Sequence, residues 1–189
     1  DLDLFVANGT YGPDMRNFLY LNDGQGRFTR DMNGEFNQHA DTSAGAAWAD
    51  IDLDGDLDIF VANWGSSDQV NRLYRNTSSE VAGRNWVAFR LASASPNSYG
   101  WGAKVRARVT IRGEQRWMTR WNIPTTGYGS QNSLLVHFGL DDATTVDSLI
   151  VRWPSGNHDT HTEVPARTVW VLHEGGEIDF ESGWFGRER

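Results

Sequence analysis

Residues 50–58 read DIDLDGDLD, with an aspartate at every second position and a glycine near the middle. Five carboxylates this close together repel one another strongly unless a cation lies among them. Calcium takes about six to eight oxygen ligands, and loops with this spacing supply them from alternate positions. The stretch therefore predicts a Ca2+ loop, and the alternative is a metal-free acidic turn at the surface.

The predicted loop gives a role to each aspartate and to the glycine. Gly55 stands where the backbone needs a conformation that a side chain hinders. An EF-hand would need glutamate at the twelfth position, but Val61 is there, inside the β-branched and aromatic run of residues 57–61. The loop is therefore expected to lead into a buried strand. The predicted ligands are the carboxylates of Asp50, Asp52, Asp54 and Asp58 and the backbone carbonyl of Asp56.

The strand after this loop and its surroundings occur twice in the sequence. Residues 1–8 (DLDLFVAN) match residues 56–63 (DLDIFVAN), and residues 17–22 (NFLYLN) match residues 71–76 (NRLYRN). A repeat at an interval of about 55 residues, with several short strands in each copy, is typical of propellers, in which one blade cannot bury its own face. The first part of the chain is therefore predicted to be a partial β-propeller.

The first copy of the acidic loop begins at its seventh position. Asp1 and Asp3 correspond to Asp56 and Asp58, so they form a possible second metal loop that is incomplete. Its earlier ligand positions would precede residue 1. The chain is therefore expected to be the C-terminal part of a longer protein, and Asp3 to bind a metal only when the preceding segment is present.

Three short motifs in the first part of the chain belong together. They are residues 22–28 (NDGQGRF), the acidic loop at residues 50–58, and residues 73–76 (LYRN). These motifs resemble FG-GAP or VCBS repeats, the blades of integrin-α-type β-propellers, and the resemblance covers residues 1–80. It implies bound calcium and an extracellular, cell-surface or periplasmic location.

Five further motifs stand in a specific order in the second part of the chain. They are residues 85–86 (NW), 100–105 (GWGAKV), 127–131 (GYGSQ), 137–140 (HFGL) and 153–156 (WPSG). In this order they resemble the ASPIC and UnbV domain, although Asp141 stands where that family usually has glycine. The two parts together resemble the C-terminal half of the cartilage acidic protein family and its bacterial relatives, in which a calcium-bearing propeller precedes this domain.

The whole chain is predicted to be all-β. Glycine, asparagine and aspartate punctuate short apolar runs, and no stretch shows a sustained helical period. Residues 1–80 are assigned to propeller blades, residues 81–175 to a β-sandwich-like ASPIC/UnbV domain and residues 176–189 to a C-terminal tail, with a linker at residues 77–85. The strands expected in the second domain are 86–92, 103–112, 115–123, 133–138, 146–153 and 168–173.

Residues 104–112 show the clearest strand pattern, with apolar and polar side chains in alternation. A three-residue loop at 113–115 would place Trp117 and Trp121 on the apolar face and set the arginines of two strands opposite one another on the wet face. Such a basic stripe is a candidate contact for an anion, a glycan or an acidic blade, and the alternative is a solvated sheet face. The stripe would consist of Arg106, Arg108, Arg112, Arg116 and Arg120.

Tryptophan and histidine raise two further possibilities, because sugars stack on exposed indole rings and paired histidines bind zinc. Six tryptophans fall on or beside apolar strand patterns and are expected in the core: Trp48, Trp86, Trp117, Trp121, Trp153 and Trp170. The candidates for ligand contact are Trp64, Trp101 and Trp184, near turns or in the tail. His158 and His161 lie close together, but no third ligand is identifiable, so no zinc site is predicted.

Charge is divided unevenly along the chain. Residues 1–80 carry 5 basic and 14 acidic side chains, whereas residues 81–189 carry 12 and 11. Seven of those acids lie in the two acidic loops, so the negative charge of the first part comes mainly from predicted metal ligands. The formal net charge of −8 and the absence of a nucleic-acid motif argue against a nucleic-acid partner. The chain has no cysteine and no apolar run long enough to span a membrane.

These patterns favour a binding module over an enzyme. No acids outside the acidic loop form an interpretable group, and Ser130 and Ser155 lack the frame of a nucleophile elbow. The expected function is a non-enzymatic, calcium-binding module for protein or glycan interaction, or a peripheral subunit of a larger surface assembly to which residues 174–189 could dock. The alternative is the accessory, substrate-binding half of a carbohydrate-active enzyme whose catalytic part is not in this chain.

Overall fold

The computed structural model describes residues 2–9, 15–65, 69–78 and 83–181. Within these ranges the regular structure is strand, apart from short 3-10 turns such as Glu35–Asn37. The all-β prediction is therefore confirmed. The same described residues contain no helix that is long and apolar enough to cross a membrane.

Two compact units make up the chain, and neither is continuous in sequence. The first unit consists of Asp1–Trp48, Asp58–Arg75 and Thr125–Gln131. The second unit consists of Ala49–Leu57, Asn76–Pro124 and Asn132–Arg189. The acidic loop is therefore grouped with the second unit up to Leu57, and a short segment near residue 128 is grouped with the first.

Two three-stranded sheets form the repeated part of the chain, each with neighbouring strands in sequence order. The strands of the first sheet are short and antiparallel, as expected for a blade bounded by Asn and Gly turns. The first sheet contains β1 (Leu4–Val6), β2 (Phe18–Asn22) and β3 (Phe28–Arg30), and the second contains β4 (Ser43–Ala49), β5 (Asp58–Asn63) and β6 (Arg72–Tyr74).

Equivalent asparagines make the same hydrogen bonds in both copies of the repeat. The backbone N–H of Asn8 donates to Oδ1 of Asn17, and that of Asn63 donates to Oδ1 of Asn71, each at 2.9 Å. The Nδ2 groups of Asn8 and Asn63 donate in turn to the carbonyls of the residues just before Asn17 and Asn71. We call this arrangement the asparagine tie. It closes the connection between two neighbouring strands and explains why the repeat keeps asparagine at both places.

The first unit has a small apolar core. Ile59, Val61 and Tyr74 are its buried members, and they come from β5 and β6. Phe36 packs on them, with its ring 4.7 Å from the Tyr74 ring and 5.1 Å from the Phe5 ring between centroids. Aromatic edge contacts of this kind add to the area that the cluster buries.

The second unit is a sandwich of two four-stranded sheets that share one core. The strands are β7 (Asn85–Ala92), β8 (Lys104–Ile111), β9 (Glu114–Trp121), β10 (Leu135–Asp141), β11 (Thr145–Arg152), β12 (His158–Pro165), β13 (Val169–His173) and β14 (Ile178–Phe180). In one sheet the strand order is β10-β7-β13-β14, with β13 parallel to β7, and in the other it is β12-β11-β8-β9. The core includes Phe89 and Phe138 from the first of these sheets and Val105 and Leu149 from the second.

Two strands of this sandwich were not predicted from the sequence. The six expected strands correspond to β7 to β11 and β13, with shifts at their ends. Strand β12 reads HDTHTEVP, which lacks an apolar alternation, and only Val164 in it is buried. Its position at the edge of its sheet allows polar side chains on both faces. Strand β14 is an edge strand of three residues.

The hairpin between β8 and β9 differs from the prediction. Ile111 pairs with Glu114, so the loop has two residues, Arg112 and Gly113, rather than three. Both have positive φ, 51° and 79°, as the tight turns of two-residue hairpins require. A change of register by an odd number of residues moves every β9 side chain to the opposite face.

Asp141 stands where the resembled family usually has glycine, and its backbone takes a conformation that glycine favours. Its φ is 52°, in the left-handed region where glycine is usually preferred and aspartate is tolerated. The pairing of β10 with β7 shifts between Gly139 and Asp141. The Asp141 carboxylate also lies 2.8 Å from the Arg112 guanidinium, so the exposed turn of the neighbouring hairpin contacts this irregularity.

Candidate functional site

The acidic loop connects β4 to β5 and brings three carboxylates together. Oxygen atoms of Asp50, Asp52 and Asp58 all lie within 4.8 Å of one another. Asp50 and Asp58 are buried, with 9% and 1% of their surfaces exposed. Three carboxylates at this separation repel one another unless a proton or a cation is shared among them. We call Asp50, Asp52 and Asp58 the carboxylate cluster.

The backbone of the loop is wound around the Asp50 carboxylate. Asp50 accepts hydrogen bonds from the N–H groups of Asp54, at 3.1 Å, and Gly55, at 2.9 Å. Asp54 Oδ1 accepts a bond of 2.9 Å from Asp56 N–H. Leu53 and Gly55 have positive φ, 63° and 97°, which lets the chain turn this tightly. The loop thus holds its acidic side chains in place with its own amides.

The electrostatics of the cluster favour a hard cation. Burial raises the pKa of Asp50 to about 6, and the nearby Asp54 carboxylate adds to the rise. A cation beside Asp50 would oppose both effects. The available donors are all oxygen atoms, the ligands that Ca2+ and Mg2+ prefer, so the residues fit the predicted ion. Metal ligation stays a prediction for all five aspartates, and the cluster of side-chain oxygens does not include Asp54.

Gly55 has a second role that the sequence did not reveal. Its carbonyl accepts a hydrogen bond of 2.8 Å from Nε2 of His137, and a Cβ at this position would lie only 1.7 Å from Nε1 of Trp86. The rings of Trp86 and His137 are stacked, with centroids 6.0 Å apart. Burial lowers the pKa of His137, which favours the neutral imidazole as the donor. Both rings lie in motifs that identify the second domain. The sequence therefore contains these residues in recognisable motifs but does not reveal their contact with Gly55.

The proposed second loop is only partly within the described residues. Asp1 lies outside them. Asp3 Oδ1 accepts a hydrogen bond of 2.8 Å from the backbone N–H of Asn22, and Asn22 Nδ2 donates to the Leu2 carbonyl at 3.0 Å. Asn76 makes the corresponding side-chain bond to the Leu57 carbonyl at 3.3 Å. Asp3 therefore takes part in the repeat's hydrogen bonding, and its role as a metal ligand stays a prediction.

The predicted basic stripe is not a single surface. Arg112 lies in the hairpin turn, Arg116 is paired in register with Val109, and Arg120 is paired with Val105. Val105 and Val109 are buried, so Arg116 and Arg120 are on the core side of their sheet. The Arg120 guanidinium lies 5.1 Å from the Phe138 ring, and burial lowers its pKa. The placement of these arginines opposite Arg108 and Arg112 was therefore wrong, because the loop is one residue shorter than assumed.

A different set of side chains shares the outer face of this sheet. Arg106 and Arg108 are on it as predicted, opposite the buried positions of β8. The β9 residues beside them are tryptophans rather than arginines, with Trp117 opposite Arg108 and Trp121 opposite Lys104. We call this set the basic aromatic face. Its members are Lys104, Arg106, Arg108 and Arg152, with Trp117 and Trp121.

The tryptophans that are buried in the structure are not all the ones that the sequence pattern predicted to be buried. Trp86 and Trp153 are buried as expected, and Trp48 and Trp170 are partly buried. Trp117 and Trp121 were expected in the core, but 42% and 56% of their surfaces are exposed. Of the three contact candidates, Trp64 is exposed, Trp101 is partly buried, and Trp184 lies outside the described residues.

The two histidines of β12 do not converge on a common point. His158 is paired with Arg152 and His161 with Leu149, and these two partners are separated by an odd number of residues in β11. Side chains an odd number of residues apart in a strand point to opposite faces. The two imidazoles therefore lie on opposite faces of β12 rather than side by side.

The fold and the acidic loop together define a β-rich protein in which repeated three-stranded sheets are followed by a β-sandwich. Residues 1–61 match the family model of the FG-GAP-like repeat, and residues 93–179 match that of ASPIC and UnbV. The chain therefore carries an FG-GAP-like repeat followed by an ASPIC and UnbV domain, in the order that its motifs predicted. No curated protein matches the chain. The narrower assignment to the cartilage acidic protein family stays a prediction.

Proposed function

We propose that this chain is a calcium-binding, non-enzymatic module of an extracellular, cell-surface or periplasmic protein, where it interacts with a protein or a glycan. The carboxylate cluster carries the calcium part of the proposal, because three carboxylates, two of them buried, lie within 4.8 Å of one another in a loop of calcium-binding spacing. The match of residues 1–61 to the FG-GAP-like repeat supports an interaction role and an extracellular setting.

Bound Ca2+ would supply the positive charge that lets the carboxylates stay ionised side by side. Asp50, Asp52 and Asp58 would hold it, and the Asp54 carboxylate and Asp56 carbonyl are the further predicted ligands. Because the same loop presents the Gly55 carbonyl to His137, fixing the loop also fixes that hydrogen bond. The ion would thus be structural, and it would hold loops in place for recognition rather than take part in a reaction.

The surroundings of Ser155 also support the proposed non-enzymatic role. Ser155 donates its hydroxyl hydrogen bond to Glu174, and Glu174 also accepts from Ser93 and Asn157. These bonds lower the pKa of Glu174, so it remains a carboxylate that links two turns. A serine held by an ionised glutamate without an imidazole between them lacks the proton acceptor of a serine hydrolase.

Thermal unfolding with Ca2+, with Mg2+ and with a chelator tests the calcium proposal. A ligand that binds only the folded state at about a hundredfold excess over its dissociation constant adds about 2.7 kcal/mol, which corresponds to a rise in Tm of about 5–10 °C for a chain of this size. We expect this gain from Ca2+ in the wild type, a smaller one from Mg2+, and little or none in Asp52→Asn.

Asp147→Asn is the matched control, because the Asp147 carboxylate accepts a hydrogen bond of 3.0 Å from the Thr110 hydroxyl and lies outside the carboxylate cluster. This variant should keep the full gain from Ca2+. An equal gain in Asp52→Asn and in the control, or no gain in the wild type, would show that the cluster is not a calcium site.

A further inference from the structure

The basic aromatic face belongs to the sheet that β12, β11, β8 and β9 form in the second unit. Its cations and rings lie in three neighbouring rows of paired residues that cross the four strands. The other positions in these rows are serine, threonine, isoleucine and histidine, and none is acidic. The cations are Lys104, Arg106 and Arg108 on β8 and Arg152 on β11, and the rings are Trp117 and Trp121 on β9.

Positive charge outweighs negative charge on this face, although the Asp147 carboxylate lies in the next row, where it accepts a hydrogen bond of 3.0 Å from Thr110. In the part of the chain that the structure describes, none of its four cations forms an ion pair. Lys104 and Arg152 are directly opposite one another in the sheet, an arrangement that destabilises a strand pair. The protein as a whole has a formal net charge of −8. A local excess of positive charge on an acidic protein therefore favours an anionic ligand at this face.

The repeat of the cations favours an extended ligand over a single small anion. Lys104, Arg106 and Arg108 occupy alternate positions of one strand, which places their Cα atoms about 6.6–6.8 Å apart along it. A free phosphate would use one of these cations and leave the others unmatched. A linear polymer with repeated anionic groups can match several at once, and the separate contacts then reinforce one another.

The tryptophans restrict the ligand further. The guanidinium of Arg106 lies 4.4 Å from the Trp117 ring centroid, and Nζ of Lys104 lies 5.2 Å from the Trp121 centroid. A cation so close to an exposed indole suits a ligand that has a flat apolar face and an anionic group attached directly to it. A sugar ring with a carboxylate on the ring has this form, whereas a polyphosphate has no ring to stack and an acidic peptide carries its carboxylates on flexible arms.

We propose that the basic aromatic face binds a linear acidic polysaccharide whose sugar rings carry carboxylates. The sugar rings pack on Trp117 and Trp121, and the carboxylates pair with the arginines, whose planar groups can form two parallel hydrogen bonds with one carboxylate. This inference deepens the interaction part of the proposed function by naming a ligand class. It does not depend on the calcium part, because the two groups of residues are different.

Binding of polygalacturonate to the purified chain tests the proposal, with tryptophan fluorescence and calorimetry as readouts. We expect saturable binding that weakens as salt increases, because the ligand is held largely by charge. Trp117→Ala and Arg106→Gln should each weaken it about tenfold or more, since each removes a stacking surface or a charge-assisted hydrogen bond. Arg116→Gln is the matched control, because it removes a positive charge from the other face of β9 and should leave the affinity unchanged.

Three comparison polymers define the results that would overturn the proposal. Polyglutamate binding as tightly as polygalacturonate, with no effect of Trp117→Ala, would indicate an acidic protein partner. Dextran sulfate binding as tightly as polygalacturonate, again with no effect of Trp117→Ala, would indicate that the face attracts polyanions in general. Tight binding of a neutral polysaccharide, or no binding of polygalacturonate, would also contradict the proposal. All variants are first checked for the wild-type Tm, so that unfolding is not mistaken for lost binding.

A chelator separates this proposal from the calcium proposal. Polygalacturonate binding should persist when Ca2+ is removed and should be unchanged in Asp52→Asn at temperatures where that variant is folded. Loss of binding in both conditions would make the face dependent on the ion, against the inference. Failure of the calcium proposal alone would leave polysaccharide binding intact.

Discussion

The two units are stabilised in different ways. Among the described residues, the apolar core of the second unit has eighteen buried members, whereas that of the first unit has three. The first unit instead repeats its asparagine ties, with the same hydrogen bonds at Asn8 and Asn63. A blade that cannot bury its own face relies more on polar contacts and on its neighbours than a closed sandwich does. Large apolar truncations should therefore affect the second unit most, and lost hydrogen bonds the first.

Phe138→Ala should have the largest effect. Phe138 is fully buried and packs edge-on against Phe89, with ring centroids 6.0 Å apart. Removing a buried phenyl ring costs about 3–5 kcal/mol through lost burial and the cavity it leaves. Chemical denaturation should show that loss in the free energy of unfolding. The counterpart in the first unit, Phe36→Ala, should cost clearly less because Phe36 is only partly buried, and equal losses would break the comparison.

Gly55→Ala should come next, because it acts at the contact between the acidic loop and the stacked rings. The added Cβ would lie 1.7 Å from Nε1 of Trp86, and φ at this position is 97°. We expect the clash and the strained backbone together to lower the free energy of unfolding by about 2–4 kcal/mol. Gly113→Ala is the control, because its φ of 79° is also positive but nothing lies within 4 Å of the new Cβ. A loss no larger than that of the control, about 1 kcal/mol, would mean that the Trp86 contact contributes nothing.

Asn63→Ala tests the asparagine tie directly. The change removes the side-chain bond to the Val70 carbonyl and the bond that Ser43 Oγ donates to Asn63 Oδ1 at 2.8 Å. We expect a loss of about 1–3 kcal/mol in the free energy of unfolding, from hydrogen bonds left unmade in a partly buried site. Asn63→Asp keeps the acceptor for Ser43 and loses only the donor, so it should be milder. A negligible effect of both changes would mean that the tie follows from the blade fold without supporting it.

Glu174→Gln should have the smallest effect, and it should depend on pH. Hydrogen bonds from Ser155, Ser93 and Asn157 lower the pKa of Glu174 below its ordinary value of 4.5. The stability from this carboxylate is therefore fully present above about pH 4.5 and is lost as the pH falls through the lowered pKa. The Tm difference between wild type and variant should therefore shrink as the pH falls below about 4.5. A difference that is constant with pH would show that the ionised form makes no special contribution.

Local patterns in the sequence were enough for much of the fold. The match between residues 1–8 and 56–63 predicted the repeat, and the alternation of residues 104–112 placed Val105, Ala107 and Val109 on the buried face. The spacing of the aspartates predicted a site where the structure brings three of them together. These successes share one cause, since each feature is determined by residues close together in the chain.

Features set by long-range contacts or by fine turn geometry could not be predicted. The alternation of β9 has the same period on either face, so one residue of loop length decided whether Trp117 or Arg116 lies on the outer face of the sheet, beside Arg106 and Arg108. Gly55 was interpreted from its backbone alone, although Trp86 and His137 from a distant part of the chain leave no room for a side chain there. Strand β12 gave no signal because it is a polar edge strand.

The parallel pairing of β13 with β7 has a consequence for how the chain folds as it is synthesised. Val169 pairs with Ala88, so one side of a central strand stays uncovered until the last part of the domain has been made. At about 5–20 residues per second, this interval lasts roughly 4–16 s. An uncovered strand edge can pair with another chain, and non-local pairing is slow to form. The newly made second domain is therefore most prone to aggregation while the ribosome translates the stretch between these two strands.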